Sequence, residues 1–173
     1  MPMAGPVRDE QYTAYVAARL PWLQRVAYLL CQDWDRADDL VQVALTRLYV
    51  RWNRASSVEN LDGYTRTVLV RVFLAEQRTG WWRRVSVREP PEPDPDSDSA
   101  DHDGDLDLRA ALRELAPRQR AAVVLRFYCD LSVEQTAAVL NCSTGTVKSQ
   151  TSRGLTALRQ ALLPTMSIGE ETA

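Results

Sequence analysis

Histidine and lysine are all but missing: the 173 residues include one of each, His102 and Lys148. With no cluster of His, Cys and carboxylates at ligand spacing, the sequence excludes a zinc centre. It contains no glycine-rich phosphate loop. The stretch Ser99-x-Asp101-x-Asp103-Gly104 echoes a calcium loop, yet it begins on serine and its twelfth position is Ala110 instead of a bidentate acid. No cofactor or metal is therefore expected, and the residues argue against an enzyme. Also missing is any run of the ~20 apolar residues that a bilayer span needs, so no membrane insertion is expected. The start, MPMAGPVRDEQ, has no positive flank followed by an apolar run, so no secretion signal is expected. Cysteines are few, odd in number and far apart (Cys31, Cys129, Cys142), which reads as reduced thiols in a cytoplasmic protein.

The charge that is present is unevenly placed. Net charge is −2, but Pro90–Asp107 holds eight acids and no Lys or Arg. Without those acids the remainder carries 21 bases against 15 acids, a net of +6. That acidic, proline-rich stretch cannot bury enough apolar surface to fold alone, and its self-repulsion keeps it extended. Elsewhere apolar residues recur at helical spacing over 9–31 (with a break or kink near Pro21), 36–52, 61–83, 106–115, 117–128, 132–140 and 144–163. On the third of these, Tyr64, Val68, Val72 and Ala75 share a face. No alternating run bounded by hairpin turns occurs. The expected fold is all-α: two small helical domains joined by a flexible acidic linker. The first spans residues 1–88, the linker 89–107, the second domain 108–164 and a polar tail 165–173.

Residues 132–159, SVEQTAAVLNCSTGTVKSQTSRGLTALR, fit a helix-turn-helix. Ser132 and Gln135 have capping-box spacing. Ala137 is small where two helices approach, and Asn141 suits a left-handed turn residue. Val147, Leu155, Leu158 and Leu162 form a stripe that can bury. With Ser143 as cap, the opposite face shows Thr144, Thr146, Lys148, Ser149, Ser152 and Arg153, with no carboxylate among them. Short hydroxyls and positive charges on one face suit the major groove of DNA.

Two further stretches carry information. In DRADDLVQVALTRLYVRW (35–52), Asp38, Asp39 and Gln42 oppose an apolar stripe. Such a face is either simply solvated or a partner for a basic protein surface. In NLDGYTRTVLVRVFLAEQRTGWWRRVSVRE (60–89), Arg66, Arg71, Arg78, Arg83, Arg84 and Arg88 accompany Tyr64, Phe73, Trp81 and Trp82. Arginines interleaved with aromatics suit unstacked single-stranded DNA, while some of the rings are equally suited to the core.

In this order, YLLCQDWDRADDLVQVALTRLYVRW, GYTRTVLVRVFLAEQRTGWWRR and LRELAPRQRAAVVLRFYCDLSVEQTAAVLNCSTGTVKSQTSRGL resemble an extracytoplasmic-function (ECF) RNA polymerase sigma factor of the sigma-E-like subgroup, over about residues 9–163. The resemblance implies a non-catalytic specificity subunit that binds core RNA polymerase through its β′ clamp helices and β flap and directs initiation at promoter DNA. Asp38, Asp39 and Gln42 would dock on the clamp helices. Tyr64, Arg66, Arg71, Arg78, Trp81, Trp82, Arg83 and Arg84 would hold the melted −10 element. Ser143, Thr144, Thr146, Lys148, Ser149, Ser152 and Arg153 would read the −35 element. The resemblance leaves open an anti-sigma factor as a further partner. Arg71, Val43, Gln150 and Thr151 depart from the residues usual in the family. The rival reading, a conventional helix-turn-helix regulator, needs a sensor or receiver module that the first 88 residues do not show.

Overall fold

In a computed structural model the chain divides into two compact units, with the boundary after Thr79. Residues 5–79 and 102–168 are described, and among them every regular element is helical. Most of the stretch expected as linker, the residues Trp81, Trp82, Arg83 and Arg84, and the last five residues of the tail lie outside this range.

The first unit begins with α1 (Gly5–Cys31), which continues unbroken through Pro21. Pro21 lacks the N–H that would bond the Ala17 carbonyl. Both residues are exposed, on the side of the helix away from the core. Gln32 stops the helix in a left-handed conformation, φ 59°. Asp33 then caps α2 (Trp34–Val50) by accepting hydrogen bonds from the backbone N–H groups of Asp35 and Arg36. A short α3 (Trp52–Ala55) leads to α4 (Leu61–Arg78), which Asn60 caps by accepting from the Gly63 N–H. Leu23, Leu30, Leu40, Leu48, Leu69 and Phe73 are among the side chains that close the core.

The buried face of α4 differs from the sequence expectation. Of Tyr64, Val68, Val72 and Ala75, only Val72 is buried, and the other three are half-buried. Thr65, Leu69, Val70, Phe73 and Leu74 join Val72 inside. The expected stripe placed Tyr64 in the core, whereas Tyr15 of α1 bonds Asp62 and Thr65 and holds a different rotation of the helix.

The second unit starts with α5 (His102–Glu114), so helix begins five residues before the expected end of the linker. Next, α6 (Pro117–Val123) has proline in its first turn. It widens into a π-helical turn over Val124–Tyr128 that leaves Phe127 and Tyr128 exposed while Val124 and Leu125 stay buried. The helices α7 (Val133–Leu140) and α8 (Thr144–Ile168) follow, and α8 continues past the expected end at residue 163.

Arg120 organises this unit. It is only 9% exposed. Its Nε donates to the Leu112 carbonyl at 2.9 Å and one Nη donates to the Leu115 carbonyl at 3.0 Å. A buried cation thereby holds the Leu115 carbonyl just past α5 and adds a second bond to the Leu112 carbonyl, which also accepts from the Leu115 N–H at 3.2 Å.

Candidate functional site

The helix-turn-helix is set by local bonds. Ser132 Oγ accepts from the Gln135 N–H at 3.0 Å, and Gln135 Oε1 accepts from the Ser132 N–H at 2.9 Å, completing the capping box. Asn141 takes the left-handed turn, φ 53°. Ser143 Oγ accepts from the Thr146 N–H at 3.1 Å and lies 2.9 Å from the Thr146 hydroxyl. Along α8, Val147 and Leu158 are buried, whereas Leu155 and Leu162 are half-buried. Gly154 is a point of tight packing against α6, which the sequence reading missed. A Cβ there would stand 2.8 Å from Val123 Cγ2 and 3.4 Å from the Gln119 carbonyl oxygen. The signal for it was a single glycine inside a helical pattern.

This packing turns Thr144, Lys148, Ser149, Ser152 and Arg153 outward, all exposed. Ser143 and Thr146 belong to the same end of the helix, but their hydroxyls are engaged with each other in the cap, and Thr146 is half-buried. Thr156 and Arg159 extend the exposed face beyond the residues picked from sequence. Helical spacing from Lys148 and Ser152 would have revealed them. No carboxylate stands on this helix face between Thr144 and Leu163. Positive and hydroxyl-bearing, the face suits the backbone and base edges of duplex DNA.

On α2, Asp38, Asp39 and Gln42 are all exposed and lie within about one turn of each other on the side opposite the core. Asp35 continues the acidic face, and Val43, 37% exposed, interrupts it. Gln24 donates to Asp38 Oδ1 at 3.3 Å, and Asp35 and Asp39 have no ion-pair partner among the described residues.

On α4 the sequence-selected residues separate. Tyr64, Arg71 and Arg78 are seven residues apart, about two turns each, and share one face. Arg71 and Arg78 are exposed and Tyr64 is half-buried. Arg66 lies about 200° further round than Tyr64. It is half-buried, and its Nε is enclosed without a partner. The rotation of α4 is held from α1: the Tyr15 hydroxyl donates to Asp62 Oδ1 at 3.0 Å and lies 2.9 Å from Thr65 Oγ1. Burial, together with the Asp62 carboxylate, pushes this phenol up to about 12. Arg19 pairs with Asp62 at 2.9 Å, a partly exposed contact worth little by itself. The aromatic cluster is completed by Tyr12, whose ring meets Tyr49 and Trp52 edge-on at 5.0 and 5.4 Å.

These surfaces coincide with two known families in the expected order. Residues 15–83 match Sigma-70 region 2, and residues 105–158 match Sigma-70, region 4. The chain is 38% identical over 158 residues to an RNA polymerase sigma-E factor of Streptomyces coelicolor, covering 88% of this chain and 86% of that one. It is 30% identical over 167 residues to the ECF RNA polymerase sigma factor EcfG of Rhodopseudomonas palustris, covering 94% and 88%. Among solved structures it resembles the sigma factor RpoE of Bartonella quintana, crystallised with the anti-sigma factor NepR. There the TM-score is 0.71 and the identity 28%, over 88% of this chain and 97% of that one. The chain belongs to the extracytoplasmic-function RNA polymerase sigma factors.

Proposed function

We propose that the chain carries out promoter-specific initiation through three surfaces: α2 for core polymerase, the Tyr64–Arg71–Arg78 face of α4 for the opened −10 element, and the exposed face of α8 for the −35 duplex. The observation that carries this assignment is the outward face of α8, where Thr144, Lys148, Ser149, Ser152 and Arg153 stand free of carboxylates while Val147 and Gly154 hold the helix in place. Ser143 and Thr146 act mainly as the cap that presents it. Asp38, Asp39 and Gln42 carry the complementary charge for a basic protein surface. On α4, Arg71 and Arg78 track phosphates while Tyr64 borders the bases. Arg66 is the weakest member of that set, because its guanidinium is partly enclosed. Trp81, Trp82, Arg83 and Arg84 continue the same basic, aromatic sequence and belong to this proposal on sequence grounds.

In this reading the protein is a non-catalytic subunit working beside the chromosome in the cytoplasm. No helix among the described residues is long and apolar enough to cross a membrane. Promoter-directed transcription with purified core enzyme tests the assignment. Asp39→Arg should weaken core binding and leave duplex −35 binding by the same protein unchanged. Lys148→Ala or Arg153→Ala should lower duplex affinity by about 1–3 kcal/mol and relax preference at one or two positions if the residue reads a base. Equal loss in both assays for Asp39→Arg would remove α2 from the docking role.

A further inference from the structure

A large aromatic ring stands where the core has no use for it. Trp34 opens α2 and is 44% exposed, although Leu30, Ala37 and Val41 already seal α1 against α2. Its indole lies nearly parallel on the ring of Tyr28, with centroids 4.1 Å apart and planes 15° from each other. That stack fixes the ring in place while leaving much of it open to solvent.

The turn that delivers it is held at some cost. Gln32 adopts φ 59°, and its side chain is 4% exposed. Its Nε2 donates to the Leu29 carbonyl at 2.7 Å, and Oε1 is buried without a partner. The Asp33 cap then sets the first turn of α2. Positions 34, 38 and 42 follow one another at four-residue steps on one side of the helix, so Trp34 heads the row that contains Asp38 and Gln42. Asp35 and Asp39 lie alongside.

A rigid π face beside three carboxylates is a receptor for a guanidinium or an ammonium group. The ring attracts the cation and the carboxylates pair with its neighbours. A ring already ordered by stacking loses little freedom on docking, and tryptophan is enriched among residues that carry interface energy. We propose that Trp34 is an anchor of the polymerase-docking face, receiving an arginine or lysine side chain from the basic surface of the core enzyme while Asp38 and Asp39 pair with adjacent positive charges. The proposal rests on α2 being the docking face. Its occupant is protein, because the three carboxylates that follow the ring along α2 repel a phosphate backbone.

The test titrates full-length protein against core RNA polymerase for wild type, Trp34→Ala, Trp34→Leu, Trp34→Phe and Asp39→Arg, with thermal unfolding followed in parallel. Trp34→Ala and Trp34→Leu should each weaken binding about tenfold or more. Trp34→Phe should stay within about threefold of wild type. Leucine keeps apolar bulk against Tyr28, so Trp34→Leu and Trp34→Phe decide the matter if the alanine variant unfolds. Wild-type affinity for Trp34→Leu overturns the aromatic anchor. If Asp39→Arg loses affinity and no Trp34 variant does, the anchor is wrong and the docking face stands. If none of them loses affinity, both fall. Should the Trp34 variants bind core normally but weaken holoenzyme binding to a single-stranded promoter oligonucleotide, the ring serves nucleic acid and the proposal is overturned.

Discussion

In the first unit Tyr12 donates to the Leu45 carbonyl, Tyr15 reaches Asp62 and Thr65, and Tyr49 donates to Asp9, ties that span 33 to 50 residues. In the second, Arg120 bonds carbonyls five and eight residues away, and Ser132, Gln135, Ser143 and Thr146 bond groups three residues away. The first unit aims its α4 face by closing long loops of chain with phenols. The second aims α8 by capping one short helix after another. The start of α8 is therefore set largely by local geometry, with the Gly154 packing added to it, whereas the arginine-bearing α4 depends on distant partners.

The sharpest way to break this contrast is Arg120→Ala. It removes a buried cation and takes its charged donors from the Leu112 and Leu115 carbonyls, the first of which keeps only the Leu115 N–H, so it should cost about 3 kcal/mol. Hydrogen exchange of α5–α8 amides in denaturant measures it, and a loss below about 1 kcal/mol would show that caps do not dominate the second unit. Gly154→Ala comes next. The new methyl would press on the stiff Val123 side chain, an overpacking that outweighs the gain in helix propensity and leaves a net cost of about 1–2 kcal/mol. The same substitution should lower −35 duplex affinity, because α8 must shift to make room.

Tyr15→Phe probes the long-range side and should cost about 1 kcal/mol. It also carries a pH signature. The fold holds the neutral phenol, raising it from its ordinary 10.0 to about 12. The folded protein thus binds that proton more tightly than the unfolded chain does, so this stabilisation is intact below pH 10 and is lost as pH rises from 10 through about 12. Tyr12 and Tyr49 are also shifted upward, the first mainly by burial and the second mainly by its bond to Asp9. Tyr15→Phe should therefore shrink, and not abolish, the alkaline loss seen in denaturant melts. The smallest effect belongs to Thr151→Val. Thr151 Oγ1 is buried without a partner, so removing the hydroxyl should stabilise the second unit by about 0.5 kcal/mol, read by the same exchange experiment.

The contrast also explains which residues could be picked in advance. Ser132, Gln135, Asn141 and Ser143 were legible because each acts on backbone groups a few positions away, and the structure places all four in the expected roles. Arg120 was missed because a buried arginine looks like any other basic residue until its carbonyl partners are known. On α4 the apolar stripe of Tyr64, Val68 and Ala75 was a reasonable reading of spacing, yet the helix is rotated to bury Thr65, Leu69 and Phe73. The threonine is accepted in the core because its hydroxyl lies 2.9 Å from the Tyr15 phenol and donates to the Leu61 carbonyl. No local pattern announces a partner 50 positions away.

The longer helices, the capped turn and the sign of charge on each face follow from composition and short-range spacing, because propensity, capping and amphipathic periodicity act within a few residues; the short α3 does not. How far each helix is turned about its own axis is different. Whether Arg66 is enclosed, whether Trp34 is core or surface, and why residue 154 must be glycine depended on which neighbours packed against those helices, and packing is a property of chain segments that meet only after folding.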